Sequence, residues 1–108
     1  MATIGVLGAH WRAEVAADGT IVPEDGVALR WYVAADDRWH TPSTSSTLRQ
    51  RRVDGMPAIE TRVRIPGGDA VHRVYAVADA GGFTVVQIEN DSPLPIAVAL
   101  EFLALVDR

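Results

Sequence analysis

The chain contains no cysteine and no lysine. The first absence excludes disulfides, thiolate metal sites and cysteine nucleophiles, and it fits a reducing compartment. The second leaves all ten basic residues as arginine, a bias read as GC-rich codon usage because Ala, Val, Gly and Asp are abundant as well. Long apolar runs are also missing. The longest, Ile96 to Val106, is interrupted by Glu101 and falls short of the roughly 20 residues that a membrane-spanning helix needs. Met1 to His10 has no basic region ahead of its short apolar stretch, so it does not read as a signal peptide. The expected setting is cytoplasmic, without a membrane partner. Positive charge is in deficit too, at a net −4. Phosphate binding needs a basic face, so no nucleic-acid partner is expected. The local exception, Arg49-Gln50-Arg51-Arg52, reads as a solvated loop or strand edge.

What is present is the composition of one globular core. At 108 residues and 48% hydrophobic content, the chain matches the commonest domain size, and residues 1–108 are read as a single domain. Ile59, Thr61, Val63 and Ile65 alternate with Glu60, Arg62 and Arg64, the period of a strand with one face buried and one wet. Pro66-Gly67-Gly68-Asp69 then supplies turn chemistry, followed by a strand from Val71 to Ala78, a turn at Asp79-Ala80-Gly81-Gly82, and a strand from Phe83 to Glu89. Asn90 to Pro95 is a break, since prolines do not sit in central strands. Ile96 to Val106 is expected as a strand, with a helix as the alternative. It is apolar on both faces, and such a strand has to be covered on both.

In the first half, Ile4 to Leu7 and Ala13 to Ala17 read as strands. Asp18-Gly19 is the strongest hairpin signal, leading to Thr20-Ile21-Val22, and Val27 to Ala34 forms a further strand. Ala35 to Thr47 shows no hydrophobic period and holds a Ser/Thr-rich loop. Short strands punctuated by turns, with no βαβ alternation, predict an all-β antiparallel β-sandwich of seven or eight strands, a barrel being the related alternative.

Residues capable of chemistry are present but scattered. His10, His40 and His72 show no metal-ligand spacing, and His72, on an alternating strand, is expected to face solvent or pair across the sheet. No serine sits in a nucleophile elbow. Gly67-Gly68 and Gly81-Gly82 lie between strands with no helix to cradle an anion, so they read as hairpin turns. Glu60 and Glu89 alternate away from the apolar face and read as surface residues, whereas Glu101 interrupts an apolar run and needs an arginine if buried. No catalytic set, metal site or cofactor is expected. Aromatics are more informative: Trp11, Trp31, Tyr32 and Trp39 all fall early in the chain. Asp37, Arg38, Trp39 and His40, behind Asp36, place hydrogen-bonding groups beside a ring that could stack on a sugar, making these four the candidate ligand-binding residues. Trp11 and Trp31 are expected to plug the core.

The segments Val53-Asp54-Gly55-Met56-Pro57-Ala58-Ile59-Glu60-Thr61, Arg64-Ile65-Pro66-Gly67-Gly68-Asp69-Ala70 and Val85 to Val98, with Asn90-Asp91-Ser92-Pro93-Leu94-Pro95 at its centre, resemble the N-terminal β-sandwich region of uncharacterised actinobacterial proteins. Those are similar to the sandwich modules that precede (α/α)-toroid glycoside hydrolases, such as glucoamylase-like and glycogen-debranching-like enzymes. The resemblance covers about residues 50 to 105 and implies a non-catalytic accessory domain of a larger, carbohydrate-active protein, with catalysis in a toroid beyond Arg108. The partner implied for Ile96 to Val106 is a downstream domain of the same protein or, in its absence, a second copy in a homodimer. Two alternatives stand beside this expectation: a free-standing module binding a glycan or small ligand around Trp39, and a small β-barrel enzyme using a histidine and a carboxylate.

Overall fold

The structure, a computed structural model, describes residues 2–5, 12–23, 27–55, 58–77 and 83–104. In chain order it contains β1 (Ala2–Gly5), β2 (Arg12–Val15), β3 (Ile21–Pro23), β4 (Val27–Ala35), β5 (Arg38–His40), a 3-10 turn at Pro42–Thr44, β6 (Arg49–Arg52), β7 (Ala58–Ile65), β8 (Gly68–Val77), β9 (Phe83–Asp91) and β10 (Ile96–Ala104). Every pairing is antiparallel. One sheet, here sheet A, runs β1-β2-β3-β4-β10 with β5 also paired to β4; sheet B runs β6-β7-β8-β9. The all-β antiparallel sandwich follows the sequence pattern, but the described residues hold ten strands rather than seven or eight. The two extra strands carry no apolar alternation: β5 is a three-residue return from a turn, and β6 is an arginine-rich edge.

The core lies between the sheets. Sheet A contributes Ala13, Val15, Ile21, Trp31, Val33 and Ala35, and sheet B contributes Ile59, Val63, Ile65, Ala70 and Val74. Register brings like residues together, with Ile59 opposite Val74 and Val63 opposite Ala70. Fully burying one such branched side chain stabilises the fold by about 1.5–3 kcal/mol, which is why the alternation in β7 dictates which side of that strand faces inward. Trp31 plugs the core as expected, at 1% exposure. Trp11, paired with it in that expectation, lies outside the described residues.

Turn chemistry sets the hairpins. Ile65 pairs with Gly68, so the β7–β8 turn is only Pro66-Gly67, shorter than the four residues expected. Proline at the first turn position and Gly67 with φ +83 at the second are the requirements of a type II turn. Asp18-Gly19 forms the β2–β3 connection as its sequence implies: Gly19 N–H donates to the Ala16 carbonyl at 2.9 Å, and Thr20 N–H to Asp18 Oδ1 at 2.9 Å. Gly19 has φ +90, and a Cβ there would stand 2.7 Å from Trp31 Nε1, so both backbone and packing demand glycine. This loop is pinned to the core by two side chains. Trp31 Nε1 donates to the Asp18 carbonyl at 2.7 Å, and Gln50 Nε2 to the Ala16 carbonyl at 2.7 Å and to Thr61 Oγ1 at 3.0 Å.

After β9, Asn90 Nδ2 donates to the Leu94 carbonyl at 2.6 Å and Ser92 Oγ to Asn90 Oδ1 at 2.6 Å. These bonds fold the proline-bounded break into a connection that carries the chain from sheet B to sheet A. Ile96–Ala104 is a strand, not a helix, and pairs with β4 along its whole length. Among the described residues no helix is long and apolar enough to cross a membrane.

Candidate functional site

The four candidate ligand residues gather at the β4–β5 hairpin but do not converge. Ala35 pairs with Arg38, leaving Asp36-Asp37 as a two-residue turn with φ 54 and 58, the left-handed pair of a type I′ turn. Cross-strand partners share a face. Trp39 opposite Ala34 therefore lies on the outer face of sheet A, while Arg38 opposite Ala35 and His40 opposite Val33 lie on the inner side. Trp39 is 62% exposed and Asp37 and Arg38 are exposed. His40 is half-buried with an enclosed Nε2 that has no hydrogen-bond partner. Alternation within a three-residue strand thus separates Trp39 from His40 and Arg38, although they adjoin in sequence. A concavity of about 480 Å³ opens at the hairpin, with Ala34 and Ala97 in its wall and Asp36 and Asp37 at its rim. Among the described residues no group of three His, Asp or Glu side chains is placed to hold a metal ion.

A second surface lies on β10. Register sets Leu100 opposite Trp31 and Phe102 opposite Leu29, on the side of sheet A that elsewhere forms the core. Ile96, at the start of the strand, packs against the core cluster around Val33 and Val63. Further along, Leu100 is 48% exposed, Phe102 72%, and neighbouring Val27 45%. The strand expected to be covered on both faces is open along the far half of its inward one. Glu101 points to the opposite face, where it accepts a hydrogen bond from the Tyr32 hydroxyl at 2.7 Å and stands 4.0 Å from Arg30. It finds the arginine the sequence called for, but at the surface.

Two polar clusters were not legible as such. Glu60, read as a surface residue, is 2% exposed. It accepts from Arg62 Nε at 2.8 Å, Arg73 Nε at 2.9 Å and Arg51 Nε at 3.1 Å. Burial alone would raise its pKa, but the three guanidinium bonds outweigh that and hold it at about 2. Asp69 accepts from Arg49 at 2.6 Å and from Arg62 at 3.2 Å and forms an ion pair with Arg64 at 3.2 Å, and is likewise held below the usual range against the effect of burial. The outer face of sheet B is therefore an ionic lattice in which arginine stems cover the carboxylates. The second correction concerns His72, which neither faces solvent nor pairs with a charge. It is 2% exposed, stacked on Trp31, with Nδ1 unpaired. Its register partner is Thr61 on the inner face of β7, and burial depresses its pKa to about 4.

These features define an all-β antiparallel two-sheet domain with one charged outer face and one partly open apolar face. No family model, curated protein or solved structure matches the chain.

Proposed function

We propose that this chain is a non-catalytic accessory β-sandwich module that works by packing the open face of β10 against another protein surface, within the kind of larger, carbohydrate-active protein its sequence resembles. The observation that carries the reading is the exposure of Phe102, 72%, on the side of sheet A where Trp31, Val33 and Ala35 form the core. An aromatic ring on a core-type face is an incomplete interior, and water is a poor cover for it. The test is thermal unfolding of the dilute chain carrying Leu100→Ser and Phe102→Ser. Side chains reserved for a partner contribute little to the isolated fold, so the midpoint should stay within a few degrees of the parent. A large drop would show that both side chains belong to the chain's own core and would overturn the reading.

A second reading rests on Trp39, whose exposed ring stands on the outer face of sheet A in line with Ala34 and Ala97, two residues that line a concavity together with Asp36 and Asp37. A flat apolar ring on a hairpin whose turn carries two exposed carboxylates suits a glycan or another hydroxylated small ligand, with Asp37 contributing from the turn, whereas Arg38 and His40 lie on the other face. Loss of glycan binding in Trp39→Ala with the fold intact supports this reading, and equal binding by the variant excludes it. The enzymatic alternative needs a histidine bonded to a carboxylate; among the described residues His72 Nδ1 and His40 Nε2 have no hydrogen-bond partner, and His10 lies outside the described residues.

A further inference from the structure

We propose that a second copy of this chain covers β10, the two strands pairing antiparallel, edge to edge, about Leu100. The inference rests on the packing-module reading above and names an occupant for the same strand at its free edge, where the open faces of the two copies come to lie side by side.

β10 ends the order β1-β2-β3-β4-β10. One side pairs with β4 without interruption from Ile96 to Ala104; the other has no strand partner among the described residues. Such an edge presents a row of free N–H and C=O groups and is a template for another strand unless it is blunted by charge, proline or a bulge. The two edges of sheet B are blunted by charge. β6 is Arg49-Gln50-Arg51-Arg52, and β9 carries Glu89 and Asp91. β10 has none of these protections: its register with β4 is unbroken, it contains no proline or glycine, and its one charge is Glu101, already engaged by Tyr32 and Arg30.

The strand is complementary to itself. A two-fold axis perpendicular to the sheet keeps the inner faces of both copies on one side, so residues of the same parity must face each other. Centring the axis on Leu100, the midpoint of Ile96–Ala104, pairs all nine residues. Phe102 then meets the partner's Val98, Leu100 meets the partner's Leu100, and Glu101 faces the partner's Ala99. Moving the axis one residue further, to Glu101, would set two carboxylates directly opposite each other, which is unfavourable. Charge on the strand thus selects the centred register, an isologous contact that closes as a dimer. At about 3.4 Å per residue the shared edge is about 30 Å long. Contacts of this size fall at the small end of stable interfaces, so the dimer is a weak one whose population follows concentration.

Sedimentation velocity over a roughly hundredfold concentration range tests this. A reversible monomer–dimer equilibrium is expected for the parent chain. Leu100→Lys brings two ammonium groups together on the axis and should leave only monomer with unchanged circular dichroism. Ala99→Arg places a guanidinium opposite the partner's Glu101 and should tighten the dimer by roughly threefold at low salt, a gain lost at high salt. A parent chain that stays monomeric, a dimer indifferent to Leu100→Lys, or a dimer weakened by Ala99→Arg would each overturn the self-pairing. A monomeric chain that still tolerates Leu100→Ser and Phe102→Ser leaves the packing module standing with another occupant, so the two failures are distinct.

Discussion

Trp31 and His72 stack in the core with ring centroids 5.0 Å apart and planes inclined by 31°, although their strands belong to different sheets. The contact ties β4 to β8 and consumes the local hydrogen-bonding capacity unequally. Trp31 Nε1 is satisfied by the Asp18 carbonyl and Thr61 Oγ1 by Gln50, whereas His72 Nδ1 has no partner. A protonated imidazole there would be a buried charge, and the help it gets from its own backbone and from Asp18 is smaller than the cost of desolvation. Desolvation therefore dominates, and the folded pKa drops from 6.5 to about 4.

Stability should accordingly fall as pH drops below about 6.5. The unfolded imidazole takes up a proton near pH 6.5 and the folded one resists until about 4. Between those values unfolding binds a proton, so acid favours the unfolded state. The full shift corresponds to about 3 kcal/mol, complete below about pH 4 and absent above pH 7. Chemical denaturation across that window measures it, with His72→Phe as the comparison. The variant keeps a ring against Trp31 and should lose most of the slope; an unchanged slope would place the effect elsewhere.

Glu60 predicts a second, lower limb with the opposite origin. Its carboxylate is held at about 2 rather than 4.5: burial resists ionisation, and the bonds from Arg62, Arg73 and Arg51 overcome it. The stabilisation is thus complete above pH 4.5 and is lost as pH falls toward 2. Glu60→Gln should remove that limb and cost about 2 kcal/mol at neutral pH, less than a fully buried pair because its arginines are partly solvated. Glu89→Gln is the control. Its side chain is 51% exposed with one bond to Arg73, and its loss should stay within about 0.5 kcal/mol. Equal effects from the two would mean that burial of Glu60 contributes nothing.

Alternation explains both what the sequence disclosed and where it misled. In β7 it identified Ile59, Val63 and Ile65 as core, because branched apolar residues recur every second position and only one side of the strand offers them a dry surface. The same rule assigned Glu60 to solvent. The rule describes a single strand, but Glu60 is covered by arginines arriving from β6 and β8, and that coverage depends on register between segments distant in sequence. The signal was nonetheless there: Arg49 and Arg51, Glu60 and Arg62, Asp69 and Arg73, Glu89 and Asp91 share one face of neighbouring strands, and the register sets Glu60 between Arg51 and Arg73 and Asp69 opposite Arg64. His72 escaped for a related reason, since a titratable residue of inner-face parity reads as polar until a tryptophan from the other sheet is known to cover it. At the candidate site, the aromatic exposure at Trp39 was anticipated as one option. The separation of Trp39 from His40 was not, because Ala35 to Thr47 offered no period from which to recognise β5.

The turn that creates β5 supplies the last prediction. Asp36 and Asp37 both adopt positive φ, a conformation that costs an L-residue about 1–2 kcal/mol relative to the right-handed region, least for Asp and Asn. Asn-Gly is the pair that a two-residue type I′ hairpin prefers. Asp36→Asn with Asp37→Gly should therefore stabilise the domain by about 1 kcal/mol, read as a higher thermal midpoint. Strained residues that persist beside a concavity and an exposed ring are common at binding surfaces, so the same variant separates two accounts of the strain. If the midpoint rises and glycan binding at Trp39 is unaffected, the aspartates are an incidental choice at a permissive turn. If the midpoint rises while binding is lost, the carboxylates are kept at a cost in stability because they contact the ligand. A midpoint that falls would contradict the premise of strain, since it would mean that the two aspartates hold the turn through bonds worth more than the conformation they oppose.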